Sequence, residues 1–122
     1  MKSSVVLLQS NPEIAQSLAA SLLSSFRSVH AVRSLEELRA NILKHRARVV
    51  ILDMEMAPLH EVERLSHEFP GLSVVCTHRL ADEEMWTAAL SAGASDICPT
   101  YDTHGILTAA LHNARPTRSV AA

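Results

Sequence analysis

Residues 49–52, Val-Val-Ile-Leu, run without a polar interruption and end abruptly at Asp53. An unbroken apolar run rich in β-branched residues predicts a strand covered on both faces, as in the middle of a parallel sheet. Residues 5–8 (Val-Val-Leu-Leu) repeat the pattern and give a first strand. A second, edge-like strand is predicted over 29–32, where His30 breaks the run, a fourth over 72–76 and a short fifth over 96–98.

Between these runs the apolar spacing lengthens to three and four, the signature of an amphipathic helix. Asn11-Pro12-Glu13 supplies a cap, a proline in the first turn and an early acid, and Ile14, Leu18, Leu22 and Phe26 line one face, so a first helix is expected over about 12–25. Ser34 to Glu37 reads as a capping box, with Leu35, Leu38, Ile42 and Leu43 as the buried stripe of a second helix. Val62, Leu65 and Phe69 mark a short third helix over 60–69, stopped by Pro70-Gly71. A fourth is expected over 81–92, with Asp82, Glu83 and Glu84 in its first turn, Met85, Ala88, Ala89 and Ala92 inward, and Gly93 as its stop. The fifth, over 103–113, turns Ile106, Leu107, Ala110 and Leu111 inward. Residues 115–122 have no periodicity and read as a linker or disordered tail behind a domain of residues 1–114.

Five strand–helix alternations with short connections predict a flavodoxin-like α/β fold, a five-stranded parallel sheet in the order 2-1-3-4-5 with helices on both faces. Such sheets bind at the carboxyl ends of their strands, in the crevice where the strand order reverses. Here that crevice lies between strands 1 and 3 and sets Gln9 and Ser10 beside Asp53.

Composition narrows the function without naming it. At 122 residues, the chain suits one domain, and with aromatics at only 3% its core must be aliphatic. A formal net charge of −2 argues against nucleic-acid binding through this domain by bulk electrostatics. No apolar run approaches the roughly 20 residues that span a bilayer, and the N-terminus does not resemble a signal peptide. Two cysteines, Cys76 and Cys98, make no disulfide framework, so a cytoplasmic protein without a membrane partner is expected.

In order and spacing, the chain resembles the receiver domain of bacterial two-component response regulators over about residues 4–114. Asp53-Met54-Glu55-Met56-Ala57-Pro58 is similar to the family's phosphoacceptor loop, Thr77 to the hydroxyl that contacts the phosphoryl group, and Gly93-Ala94-Ser95-Asp96 to the approach to the fifth strand. The resemblance implies Asp53 as phosphoacceptor, a histidine kinase upstream, and protein partners or a homodimer through the face of the fourth helix, fifth strand and fifth helix. Trp86 and Tyr101 fall near that face.

The same resemblance places an acidic pair where this chain has Gln9-Ser10, a lysine where it has Thr100, and an aromatic switch residue where it has Ile97. Phosphoryl transfer to a carboxylate needs cationic groups to meet the developing charge, and magnesium wants carboxylate oxygens. Losing one such preorganised group costs about 3 kcal/mol of barrier. Two readings follow: a degenerate receiver acting through protein–protein interaction with no cofactor, and an active receiver using Mg²⁺ and Asp53. A flavodoxin-like enzyme or nucleotide binder is a third, disfavoured because none of Gly71, Gly93 and Gly105 opens the first helix.

Other constellations have structural explanations. Glu55 is expected to point to solvent, and His60 and His67 share a helix face without a third ligand. Lys44, His45, Arg46 and Arg48 suit the negative end of the second helix. Cys76 and Cys98, on neighbouring strands, suit buried packing.

Overall fold

A computed structural model of the chain describes residues 3–114. Strands and helices alternate throughout: β1 (Ser4–Leu8), α1 (Pro12–Leu23), β2 (Ser28–Val32), α2 (Leu35–His45), β3 (Val49–Asp53), α3 (Leu59–Glu68), β4 (Ser73–His78), α4 (Glu83–Ser91), β5 (Asp96–Pro99) and α5 (Thr103–Ala114). The tail over 115–122 lies outside the described residues. All strand pairs are parallel, in the order β2-β1-β3-β4-β5. The fold is the flavodoxin-like arrangement that the sequence predicts.

Side chains alternate across the sheet, so each apolar strand feeds two cores. Val5, Leu7, Val49, Ile51 and Val75 pack with Leu18 and Leu22 of α1 and Ile106 and Ala110 of α5. Val6, Leu8, Val50, Leu52 and Val74 pack on the other face with Leu38 and Ile42 of α2, Val62 and Leu65 of α3, and Ala89 of α4. Burial on both faces is why β1 and β3 read as continuous apolar runs.

Helices α1, α2, α4 and α5 begin where polar side chains satisfy their free N–H groups, whereas α3 begins after Pro58 without such a cap. Asn11 Oδ1 accepts from Glu13 and Ile14 N–H at 2.9 and 3.2 Å, and Ser34 Oγ accepts from Glu37 N–H at 3.1 Å. In the fourth helix Asp82 Oδ1 accepts from Met85 N–H at 2.9 Å, which makes Asp82 the cap and delays the helix to Glu83. Gly93 ends this region at φ +109°, a conformation that favours glycine. A Cβ built there would collide with Ser66 of α3, so glycine also permits the close approach of that chain.

Three sequence expectations change. Leu43 is 69% exposed: α2 covers only the edge half of the sheet, and the Leu38–Ile42 ridge fills that contact. Leu111 is also exposed, because α5 seats Ile106, Ala109 and Ala110 instead. Thr77 lies within β4 and not after it. This strand pairs on both sides, Thr77 with Asp53 and Cys98, and its polar end hides the continuation.

Candidate functional site

Asp53 is the last residue of β3 and is wholly buried. The chain turns immediately after it, and the turn supplies hydrogen-bond donors. Oδ1 accepts from Glu55 N–H at 2.9 Å, and Oδ2 accepts from Ser10 N–H at 2.9 Å. The loops after β1 and β3 are therefore tied together through one carboxylate. Two backbone amides thus supply the hydrogen bonds that a buried carboxylate cannot take from water.

Around it the strand ends bring the sequence-selected residues together. Gln9, after β1, is buried, and its Oε1 accepts from Asn11 N–H at 3.2 Å and from Ser10 Oγ at 3.4 Å. Gln9 Nε2, the Thr77 hydroxyl and the Thr100 hydroxyl are buried without a hydrogen-bond partner among the described residues. Three unpartnered polar groups at one end of one sheet run against the usual satisfaction of buried polar atoms. Thr100 follows β5 directly, and its N–H donates to His78 O at 3.1 Å, which continues the β4–β5 pairing by one residue.

Glu55 is exposed, as expected, and gains a surface partner there. Its Oε1 lies 2.9 Å from Nε of Arg79, in the loop after β4. Sequence reasoning passed over Arg79, although a signal was present: it is the only lysine or arginine in the loops that follow β1, β3, β4 and β5. A polar cavity of about 290 Å³ opens here. Its walls come from Gln9, Ser10 and Asn11 after β1, Glu55 after β3, Arg79 after β4, and Thr100 with Tyr101 after β5. Asp53 lies behind this wall, without exposure of its own.

The remaining candidates separate. Trp86 on α4 and Tyr101 are 47% and 70% exposed, and Leu80 in the loop before α4 is exposed as well. Cys76 and Cys98 lie on paired strands but belong to opposite cores, and burial pushes their thiols up to about 12 and about 11. His60 and His67 both lie on α3 and gain no third ligand there.

No protein-family model matches the sequence, and no curated protein does. Solved structures are similar over nearly the whole chain. The N-terminal signal receiver domain of a two-component response regulator from Bacteroides fragilis aligns with a TM-score of 0.86 at 21% identity, covering 96% of this chain and 100% of that one. The BeF3-activated receiver domain of DrrB, from Thermotoga maritima, aligns at 0.80 and 16% identity, covering 93% of this chain and 97% of that one. An orphan response regulator of H. pylori gives the same TM-score and identity, with 93% and 97% covered. At such low identity these likenesses establish one thing: the chain has the fold of receiver domains.

Proposed function

We propose that the chain is a receiver-like signalling module of a two-component response regulator, acting by protein–protein interaction and without metal-dependent aspartyl phosphate. The observation that carries this reading is the company of Asp53. Beside a buried carboxylate whose two oxygens each accept a backbone N–H stand neutral Gln9, Ser10 and Thr100. The other nearby carboxylate, on Glu55, is paired with Arg79.

Magnesium needs hard oxygens, most often one or two carboxylates free to coordinate, and it holds near-octahedral geometry. The residues present do not fit that ion. Gln9 and Ser10 bring no charge, and among the residues lining the cavity Glu55 is the one carboxylate. No lysine stands at Thr100 to meet charge developing on a phosphoryl group.

In this reading, the interacting surface is the face of α4, β5 and α5, where Trp86 and Tyr101 stand exposed. Exposed aromatics are the residues on which interfaces most often anchor. A protein partner or a second copy of the chain would dock there. Among the described residues no helix is long and apolar enough to cross a membrane. A cytoplasmic setting and no cofactor belong to the same reading.

One observation favours the alternative of an active receiver phosphorylated on Asp53 by a histidine kinase. Thr77 is directly opposite Asp53 in the strand register, and its hydroxyl is unpartnered. The two readings separate in one experiment. Acetyl phosphate or beryllofluoride, each with magnesium, is added while amide spectra of the α4–β5–α5 face are followed. Unchanged spectra are expected. A shift on that face that disappears in Asp53→Ala would establish the active receiver.

A further inference from the structure

We infer that the cavity beside Asp53 is a metal-independent binding site for a small oxyanion, a carboxylate or a phosphate, held by Arg79, Gln9 Nε2 and the Thr100 hydroxyl. This inference deepens the proposed reading, because it gives the same strand ends a noncovalent ligand in place of a phosphoryl group.

The argument begins with the unpartnered donors. Gln9 and Thr100 are 8% and 2% exposed, and both line the cavity with free hydrogen-bonding capacity. Burying a donor without an acceptor destabilises a fold. A sequence selected for stability alone would place valine at position 100, where the hydroxyl gains nothing from the protein around it. The donors come from different strand ends, β1 and β5, and Arg79 adds a third from β4. Convergence of donors from separate elements on one concave site is the usual construction of a ligand pocket.

Charge selects the ligand class. Arg79 is held by Glu55 at 2.9 Å, but its side chain is 63% exposed, and pairs of that kind are weak and readily exchanged. An incoming carboxylate or phosphate would take the place of the Glu55 carboxylate on the guanidinium, a planar group that suits two oxygens at once. The exchange leaves the charge on Arg79 matched, releases the carboxylate of exposed Glu55 to water, and adds the hydrogen bonds from Gln9 and Thr100. Asp53 does not oppose it directly, since it lies behind the cavity wall with both oxygens bonded to N–H groups. The volume of about 290 Å³ admits a small molecule only.

The test uses the intact protein in EDTA, titrated separately with sodium malonate and inorganic phosphate, following the Gln9 side-chain amide, Thr100 N–H and Arg79 Nε–H by NMR. Saturable shifts at all three, at or below about 10 mM ligand, are expected. The tighter of the two probes identifies the source of the oxyanion. Arg79→Gln should weaken binding by about tenfold, the effect of one lost charge-assisted bond. Thr100→Val should weaken it several-fold without lowering the melting temperature, since the hydroxyl has no partner to lose. Three results overturn the inference. One is shifts confined to Lys44, Arg46 and Arg48. Another is no saturation with either probe, in which case a lowered melting temperature in Thr100→Val would identify a structural water as the hydroxyl's partner. The third is binding that appears only when magnesium replaces EDTA, and this last alone would also count against the proposed function.

Discussion

Asp53 and Thr77 occupy directly opposed positions in the β3–β4 register, both fully buried, yet the carboxylate is held by the backbone of the neighbouring loops and the hydroxyl by no partner among the described residues. The two residues therefore contribute unequally to the fold. Asp53→Asn keeps one acceptor oxygen and turns an NH₂ group toward an N–H donor, so it should cost about 1–2 kcal/mol. Thr77→Val removes an unpartnered hydroxyl and should be neutral or stabilising by up to about 1 kcal/mol. Urea denaturation of the two variants checks both signs. A loss above about 3 kcal/mol for Asp53→Asn would make the carboxylate a principal structural element instead.

Magnesium should bind weakly. With neutral Gln9 and Ser10 after β1 and both Asp53 oxygens bonded to backbone N–H groups, titration followed by Trp86 fluorescence or by amide shifts of Ser10 and Glu55 should show no saturation below about several millimolar. Restoring an acid with Gln9→Asp should bring the affinity into range. If Gln9→Asp binds no better than the parent chain, the missing acid is not what limits the site.

The sheet was legible because β1 and β3 are apolar on both faces, and only a doubly covered parallel strand needs that. Their carboxyl ends then located Gln9, Ser10 and Asp53 without any knowledge of side-chain contacts. What escaped were features set by tertiary packing. The depth of α2 on the sheet left Leu43 outside. The double pairing of β4 drew polar Thr77 and His78 into a strand whose apolar run ends earlier. The Glu55–Arg79 pair joins two loops 24 positions apart in sequence, and nothing in either loop alone announces it.

Gly93 should be among the most sensitive positions away from the site. Its φ of +109° disfavours any side chain, and a Cβ would meet the Ser66 hydroxyl of α3. Gly93→Ala is expected to destabilise by about 1–3 kcal/mol, combining backbone strain with overpacking. Ser66→Gly introduced beside it should recover the steric part and leave the conformational part. Full recovery in the double variant would show that strain at φ +109° contributes nothing.

Stability should depend on pH through His30, whose imidazole is stacked on that of His45 at the far edge of the sheet. His30 on β2 and His45 at the end of α2 lie with ring centroids 3.6 Å apart and planes within 10°. His30 Nε2 is also 2.9 Å from Ser28 Oγ, which is 2.7 Å from Ser4 Oγ on β1. Burial pushes the His30 pKa down first, and the neighbouring His45 and Lys44 push it down further, because each disfavours a second positive charge there. The unfolded chain, with His30 at its ordinary 6.5, then binds more protons than the folded one in the interval just below that value. Stability from this group is therefore complete above about pH 6.5 and falls as the pH drops toward the lowered folded value. Lys44→Ala should raise the His30 pKa, read from its ring proton shifts, and flatten the slope of stability just below pH 6.5. A His30 that titrates at or above 6.5 in the folded protein would reverse the sign and refute the prediction.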